Sequence, residues 1–292
     1  MRACPHCTSE AVIKRGFYPV SGPTNHKRVQ RYFCKACLKK FSAQTGAVTY
    51  REKKPYVNQT LFRTLCSGVS ERSTAFLIGI NRKTVASKMR RLGLEASRRL
   101  ADSFEEHKAG AKVVFDEMET FEHSKAKPLS IAVAVDHATR RIISVDVASM
   151  PAKGPLAALS RKKYGPRRDD RRQALEKMAR QIERACPRLD FLRSDECPRY
   201  PAITRQFFPE VLHQTYKGRR GCVVGQGELK RGGFDPLFSL NHTCAMFRDH
   251  IKRLSRRTWC TTKHASGLRA LLWLYAWFHN QLLEGAGRLV SI

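Results

Sequence analysis

The stretch from residue 112 to residue 149 decides the fold, and it reads KVVFDEMETFEHSKAKPLSIAVAVDHATRRIISVDVAS. Three runs rich in valine and isoleucine, at 112–121, 129–136 and 140–149, predict three consecutive β-strands. Only residues 137–139 separate the second run from the third, so we expect a tight connection there. The chain therefore begins this half with three strands that follow one another directly.

After the third strand the pattern alternates between helix and strand. The elements predicted in chain order are a helix over 169–185, a strand over 189–194, a short helix over 198–208, a strand over 211–216, a glycine-rich loop over 218–233, and helices over 239–256 and 265–283. Three strands followed by alternating units predict an α/β class, with a mixed sheet and helices on both faces. This succession matches the ribonuclease H-like fold, in which the first and fourth strands are neighbours.

The charge of the chain indicates its partner. The 292 residues include 55 Lys and Arg against 25 Asp and Glu, which gives a net charge of +30. Such a field attracts polyanions, and nucleic acid is the leading candidate. An anionic membrane surface is the alternative, but the basic residues are spread over the whole chain. No 18-residue apolar run and no apolar signal core are present, so we expect a protein inside the cell, without a membrane partner.

Four cysteines form two C-x-x-C pairs near the start of the chain. Cys4 pairs with Cys7 and Cys34 with Cys37, and 26 residues separate the pairs. Four thiolates at this spacing close a tetrahedron around Zn²⁺. A redox C-x-x-C is disfavoured because no βαβ pattern surrounds either pair. The spacing therefore predicts a structural zinc ribbon over residues 1–46.

The segment 70–93 has the signature of a helix-turn-helix. A capping serine begins its first helix, a glycine ends it, and Asn81 caps a basic second helix. A helix-turn-helix over residues 56–107 would place part of this second helix in the major groove of double-stranded DNA. The alternative is a plain helical hairpin with a solvated basic face. The residues expected to face the groove are Arg82, Lys83, Thr84 and Ser87.

Two aspartates mark a candidate catalytic site. Asp116 lies inside the first apolar strand, where an isolated charge is costly, and Asp195 ends the fourth strand. If these strands are neighbours, the two carboxylates lie side by side and need divalent cations, Mg²⁺ or Mn²⁺, between them. The alternative is that both are ordinary strand-end acids. Asp136 is a lesser candidate, because an aspartate before a hairpin connection usually caps the turn.

The chain resembles the bacterial insertion-sequence transposases of the DDE type, and it is most similar to the insertion-sequence-one-like group. The resemblance rests on the zinc ribbon, the helix-turn-helix, and the segments 116–121, 194–200, 216–219 and 247–259. It implies that Asp116 and Asp195 are the first two catalytic acids. It also implies an oligomer on DNA, in the bacterial cytoplasm and associated with the nucleoid. In the last segment, the basic residues expected along DNA phosphates are Arg248, Lys252, Arg253 and Arg256.

The third catalytic acid is where this chain departs from the family pattern. Asn241 stands where the resemblance implies a glutamate. Our first substitute is Glu228, in an insertion over residues 221–238 that also carries Asp235. Asn241 or His242 as a neutral ligand comes second, and loss of the third ligand is the remaining alternative.

Taken together, these patterns predict three domains: a zinc ribbon at 1–46, a helix-turn-helix domain at 56–107 and a ribonuclease H-like domain at 111–292. The expected function is metal-dependent DNA cleavage and strand transfer at element ends, with no small-molecule substrate. Two alternatives stay open. One is a catalytically inactive, transposase-derived DNA-binding protein, and the other is a structured-RNA nuclease on the same fold.

Overall fold

The computed structural model describes residues 2–21, 26–47, 49–104, 110–217, 235–255 and 259–285. By its internal contacts the chain divides into two compact units, Met1–Thr60 and Leu61–Ile292. That the chain folds as three independent domains stays a prediction. Within the described ranges, no helix has both the length and the apolar character needed to cross a membrane.

The first unit is a small antiparallel sheet with the strand order β1-β2-β3. Its strands are β1 (Val12–Ser21), β2 (His26–Cys34) and β3 (Lys40–Ser42), and a 3₁₀ turn over Pro55–Val57 follows. The register of β1 against β2 shifts between Lys14 and Phe17, where Gly16 takes a positive φ of 66°. Glycine adopts this conformation without steric cost, which allows the bulge. The apolar cluster is small and centres on Cys4, Cys34 and Phe41.

The second unit contains a five-stranded mixed sheet with the order β6-β5-β4-β7-β8. Its strands are β4 (Ala111–Phe121), β5 (Pro128–Asp136), β6 (Ile142–Ser149), β7 (Leu189–Asp195) and β8 (Leu212–Tyr216). The first three strands pair antiparallel, whereas β7 runs parallel to β4 and β8 parallel to β7. The expectation that the first and fourth strands of this half are neighbours is therefore confirmed.

The helices of the second unit lie before, between and after these strands. In chain order they are α1 (Asn58–Cys66), which crosses the boundary between the units, α2 (Glu71–Ile78), α3 (Arg82–Asp102), α4 (Leu156–Tyr164), α5 (Arg171–Ala185), α6 (Tyr200–Phe207), α7 (Phe238–His250) and α8 (Ala265–Glu284). Helices α5 and α7 contact β5, which is buried from its second residue to its last.

Two predictions about the helices were wrong. α4 was missed, because its sequence LAALSRKKY puts basic residues into its last turn and shows only a weak apolar face. The predicted helix over 239–256 ends at His250, and a separate 3₁₀ turn follows over Lys252–Leu254. Ile251 between them has an extended backbone and is buried, so packing of its side chain interrupts the helix. The basic segment 248–257 is therefore not one continuous helix.

α8 runs along the free edge of β6 and satisfies its backbone groups. The Asn280 side chain accepts from the Ile142 N–H at 2.7 Å and donates to its C=O at 3.0 Å. Trp273 Nε1 donates to Val145 O at 3.0 Å, and Arg269 donates to the next outward carbonyl, that of Val147. Covering the edge in this way removes a site for pairing with other chains.

α3 packs against α8 at a close crossing. Gly93 lies in the buried face of α3, and a Cβ there would meet the Ala270 carbonyl oxygen at 2.5 Å and its Cα at 2.8 Å. Only glycine therefore fits at this point. Since α8 also covers β6, the second helix of the predicted helix-turn-helix connects through α8 to the sheet.

Candidate functional site

Asp116 and Asp195 are brought to the same level of two neighbouring strands. The parallel register pairs Val113 with Leu192 and Val114 with Arg193. Two residues further along each strand, this register sets Asp116 beside Asp195, and side chains two apart share a face. The sequence prediction that the two carboxylates lie on adjacent strands agrees with the pairing.

Each of these carboxylates has one oxygen held by hydrogen bonds. Asp116 Oδ1 accepts from the backbone N–H of Glu117 at 2.6 Å and from the hydroxyl of Tyr200 at 2.8 Å. Asp195 Oδ1 accepts from the backbone N–H of Cys197 at 3.0 Å. In the described part of the chain, neither Oδ2 has a hydrogen-bond donor. Both Oδ2 atoms are thus left for a cation or a solvent donor.

The surroundings of Asp116 disfavour its charge. Burial and, after it, the negative charge of Asp195 raise the Asp116 pKa to about 6, while the bonds from Glu117 N–H and Tyr200 oppose the rise. A carboxylate that is partly desolvated and next to a second carboxylate is the situation that a divalent cation relieves. The donor set therefore fits a hard metal ion.

Tyr200 and Arg199 are site residues that the sequence reasoning did not assign. The Tyr200 ring is buried and contacts Phe115 edge-on at 5.0 Å between centroids. Arg199 pairs with the buried carboxylate of Glu117, which also accepts from Ser130 Oγ at 2.6 Å. These contacts fix the turn after β7 against β4. Both residues lie in the segment 194–200, so their position directly after Asp195 was the available signal.

Among the described residues, no third carboxylate completes a metal-binding group with Asp116 and Asp195. Glu228 lies outside the described residues, and among the residues described the only group of three or more His, Cys, Asp or Glu atoms close enough for one metal is the cysteine cluster. Asp136 accepts from the N–H and the hydroxyl of Thr139, both at 2.7 Å, so it caps its turn as expected.

Helix α7 carries the remaining candidates on different sides. Asn241 is exposed and donates to Asp235 Oδ2 at 2.8 Å. Burial and, after it, the charge of Arg140 lower the His242 pKa. Cys244 lies two positions further, about 200° around the helix, and burial and Asp116 raise its thiol pKa to about 12. The charge of Asp116 thus acts on a thiol of α7.

The four predicted cysteine ligands converge in the first unit. Cys4 Sγ lies 3.7 Å from Cys37 Sγ, and Cys7 Sγ lies 3.5 Å from Cys34 Sγ. All four sulfur atoms are within 4.8 Å of one another. Two C-x-x-C turns that bring their four thiolates to one point form the tetrahedral ligand set that Zn²⁺ binds. His6 contributes no atom to this group.

The helix-turn-helix geometry agrees with the predicted caps. Ser70 Oγ accepts from the Ser73 N–H at 3.1 Å and Asn81 Oδ1 from the Lys83 N–H at 2.8 Å, while Gly79 between the helices has a φ of 68°. Arg82, Lys83 and Ser87 are exposed at the start of α3, and Thr84 is half-buried.

A basic groove adjoins the start of α3. It has a volume of about 490 Å³, and two sets of predicted DNA contacts that are distant in sequence line it together: Arg82 and Lys83 with Lys252 and Arg253. The indole of Trp259 is fully exposed beside them. Arg253 pairs with Glu71 of α2, so part of its charge is already compensated.

Of the other two basic residues predicted to contact DNA, only one lies in the described part of the chain. Arg248 lies in the last turn of α7, half-buried, and its charge acts on the Cys244 thiol near Asp116. Arg256 lies outside the described residues.

Comparison with known proteins gives little independent support. No protein-family model matches the chain, and no curated protein matches it. The chain is similar to a solved structure described as "Crystal structure of the Mos1 mariner paired end complex with Mn", at 11% sequence identity and a TM-score of 0.29. The match covers 79% of this chain and 76% of that chain. At this TM-score the likeness decides neither fold nor function, which rest on the chain's own residues.

Proposed function

We propose that the protein is a DNA transposase of the DDE type, with a ribonuclease H-like domain over 111–292 that cleaves and joins DNA. The observation that carries the proposal is the placement of Asp116 and Asp195 on neighbouring parallel strands, where no described residue donates to the second oxygen of either carboxylate. The strand order β6-β5-β4-β7-β8 is the order that this fold requires. The zinc ribbon, the helix-turn-helix and the net charge agree with a DNA substrate.

Asp116 and Asp195 would hold Mg²⁺ or Mn²⁺ in this proposal. Such cations, when bound as a pair, activate an attacking oxygen and stabilise a leaving one during displacement at phosphorus. The chain's own residues supply the position, because Tyr200 and the Glu117 N–H hold one oxygen of Asp116 and restrict the orientation of its carboxylate. Glu228 remains our first choice for the third ligand, ahead of Asn241.

Double-stranded DNA would be bound by the second unit through the start of α3 and the adjoining groove. Arg82, Lys83 and Ser87 would contact base edges or phosphates there, with Lys252 beside them. If about eight phosphates are neutralised, the logarithm of affinity falls with the logarithm of salt concentration at a slope near −7. Cutting two element ends together requires a homo-oligomer on DNA.

The alternative function is that of a catalytically inactive DNA-binding protein derived from a transposase. The specific observation in its favour is Asn241, which stands where the resemblance implies a glutamate and whose amide is exposed and donates to Asp235. The two functions share every DNA contact and differ in metal-dependent cleavage. That difference makes cleavage the test.

The experiment compares the unmodified protein with Asp116→Asn, Asp195→Asn and the control Asp190→Asn. Asp190 is an exposed aspartate on the same strand as Asp195. The substrates are short duplexes that were enriched by binding to the protein. They come from a pool that includes the DNA flanking the coding sequence. Cleavage is measured with and without Mg²⁺ or Mn²⁺. We expect both site variants to lose cleavage and keep DNA affinity, and the control to keep both. Absence of metal-dependent cleavage by the unmodified protein, despite tight binding, would establish the alternative.

A further inference from the structure

Arg193 lies on the same face of the sheet as the two aspartates. It precedes Asp195 by two residues on β7, so the two side chains point the same way about 6.6 Å apart along the strand. The centre of its guanidinium group stands 4.3 Å from the centroid of the Phe191 ring and 5.7 Å from that of the Tyr216 ring. These two aromatic rings therefore restrict the positions that the guanidinium group can take.

Hydrogen bonds complete the immobilisation of this guanidinium. Arg193 Nε donates to Gln214 Oε1 at 3.0 Å, and Nη1 donates to His137 Nε2 at 3.3 Å. The other ring nitrogen of His137 lies 3.3 Å from Ser239 Oγ at the start of α7. The arginine is thus tied to β8, to the end of β5 and, through the histidine, to α7.

Arg193 nevertheless retains donors and an uncompensated charge. A guanidinium has five N–H donors, and the two bonds above use one from Nε and one from Nη1. No carboxylate pairs with Arg193 among the residues that the structure describes. A further cation, Lys112 Nζ, lies over the same Phe191 ring at 5.9 Å. An oriented cation that has no carboxylate partner in the described part of the chain, two residues before Asp195, is complementary to a substrate anion.

We propose that Arg193 binds a phosphodiester adjacent to the scissile phosphate and thereby positions the DNA strand on Asp116 and Asp195. This inference rests on the proposed function. The fork of the guanidinium suits the two non-bridging oxygens of a phosphate, whereas a lysine supplies only a point charge. The rings and the hydrogen bonds hold the fork ready before DNA binds, which reduces the entropic cost of the contact.

A purely structural role is the competing account. The same contacts join β5, β7, β8 and α7, so loss of Arg193 affects packing as well as charge. Arg193→Met keeps the apolar stem between the rings and removes the guanidinium together with its hydrogen bonds to Gln214 and His137, and Arg193→Lys keeps the charge. Arg184→Met serves as the control, because Arg184 is an exposed arginine on α5. Thermal melting of each variant establishes that it is folded.

The experiment is a double-mutant cycle between the protein and single phosphates of the DNA. A binding-enriched duplex is made in versions with one neutral methylphosphonate each, and affinities are measured without metal. We expect Arg193→Met to weaken binding of the unmodified duplex about tenfold or more, since a charge-assisted bond is lost. At one position, neutralising the phosphate should reduce the affinity of the unmodified protein by this same factor. The affinity of Arg193→Met should not fall further when that phosphate is neutralised. Arg193→Lys should restore part of the affinity, and Arg184→Met should show full penalties everywhere.

Additive penalties at every position would overturn the contact. If such additivity accompanies normal Mg²⁺-dependent cleavage, the phosphate contact fails and the proposed function stands. If coupling is found at one position but the unmodified protein cleaves nothing, the contact stands and the nuclease function fails.

Discussion

Replacing Asp116 by asparagine is expected to stabilise the metal-free protein, although it removes a proposed metal ligand. Asparagine keeps the oxygen that accepts from the Glu117 N–H and from Tyr200, so both hydrogen bonds survive. What disappears is the charge, which burial and Asp195 disfavour in the folded state.

The size and sign of the effect follow from the pKa of Asp116. A rise from the ordinary 3.8 to about 6 corresponds to about 3 kcal/mol, at about 1.4 kcal/mol for each pH unit. Because the folded state binds the proton more tightly than the unfolded state, the stability contribution is full below 3.8 and is lost as the pH rises to about 6. The asparagine variant escapes this loss. Its advantage should therefore grow from near zero to about 3 kcal/mol across that pH range.

The assay is urea unfolding in a chelating buffer at pH values on either side of this range. All three tryptophans, at 259, 273 and 277, lie in the second unit, so tryptophan fluorescence reports the unfolding of that unit alone. Asp190→Asn controls for removal of a negative charge from an exposed position. A stability difference that does not change with pH would refute the reasoning. Mg²⁺ at about 1,000 times its Kd should then reverse the order, because it stabilises the unmodified protein by about 4.1 kcal/mol and the variant lacks a ligand.

Three further changes have expected outcomes. Cys34→Ser should abolish stoichiometric zinc in metal analysis, whereas Cys66→Ser, at a buried lone thiol, should leave it unchanged; equal zinc content in both would contradict a four-cysteine site. Arg82→Ala should weaken binding of a selected duplex more than binding of random DNA, while Arg98→Ala, at the exposed far end of α3, should change neither; equal losses for both duplexes would reassign Arg82 to phosphate contact. Gly93→Ala should destabilise the second unit by about 1–3 kcal/mol in urea unfolding, because backbone atoms occupy the space of the new methyl group; a stabilised variant would show that the helices separate at no cost and that helix propensity dominates.

The sheet could be predicted from sequence because its strands carry strong local signals. The run SIAVAVD of β5 has no polar residue between Ile131 and Val135, which suits a strand buried on both faces. Such runs fix the existence of strands, whereas the position of β7 beside β4 follows only from the order of elements and the usual handedness of crossovers. The pairing of Asp116 with Asp195 was therefore a topological inference, and the register agrees with it.

The parts that could not be predicted depend on contacts that are distant in sequence. Tyr200 bonds to a residue 84 positions earlier, and the bond exists only because α6 begins beside the middle of β4. The link from His137 to Ser239 spans 102 positions. The end of α7 at His250 depends on burial of Ile251, which no local propensity reports. The periodicity of apolar residues describes one helix or strand at a time and does not indicate which distant residues it will contact.

The packing of α3 has a consequence for how recognition and chemistry would be coupled. Its first turn carries the predicted base contacts, its middle crosses α8 at Gly93, and α8 is bonded along β6 of the sheet that holds the aspartates. A tight helix crossing and an edge strand bound through backbone groups leave little freedom between α3 and the sheet. DNA recognised at the start of α3 would then lie at a fixed distance from the acid pair. Cleavage should accordingly occur at a constant spacing from the recognised base pairs. The Gly93→Ala variant should cut at variable spacings while its affinity for DNA is still unchanged.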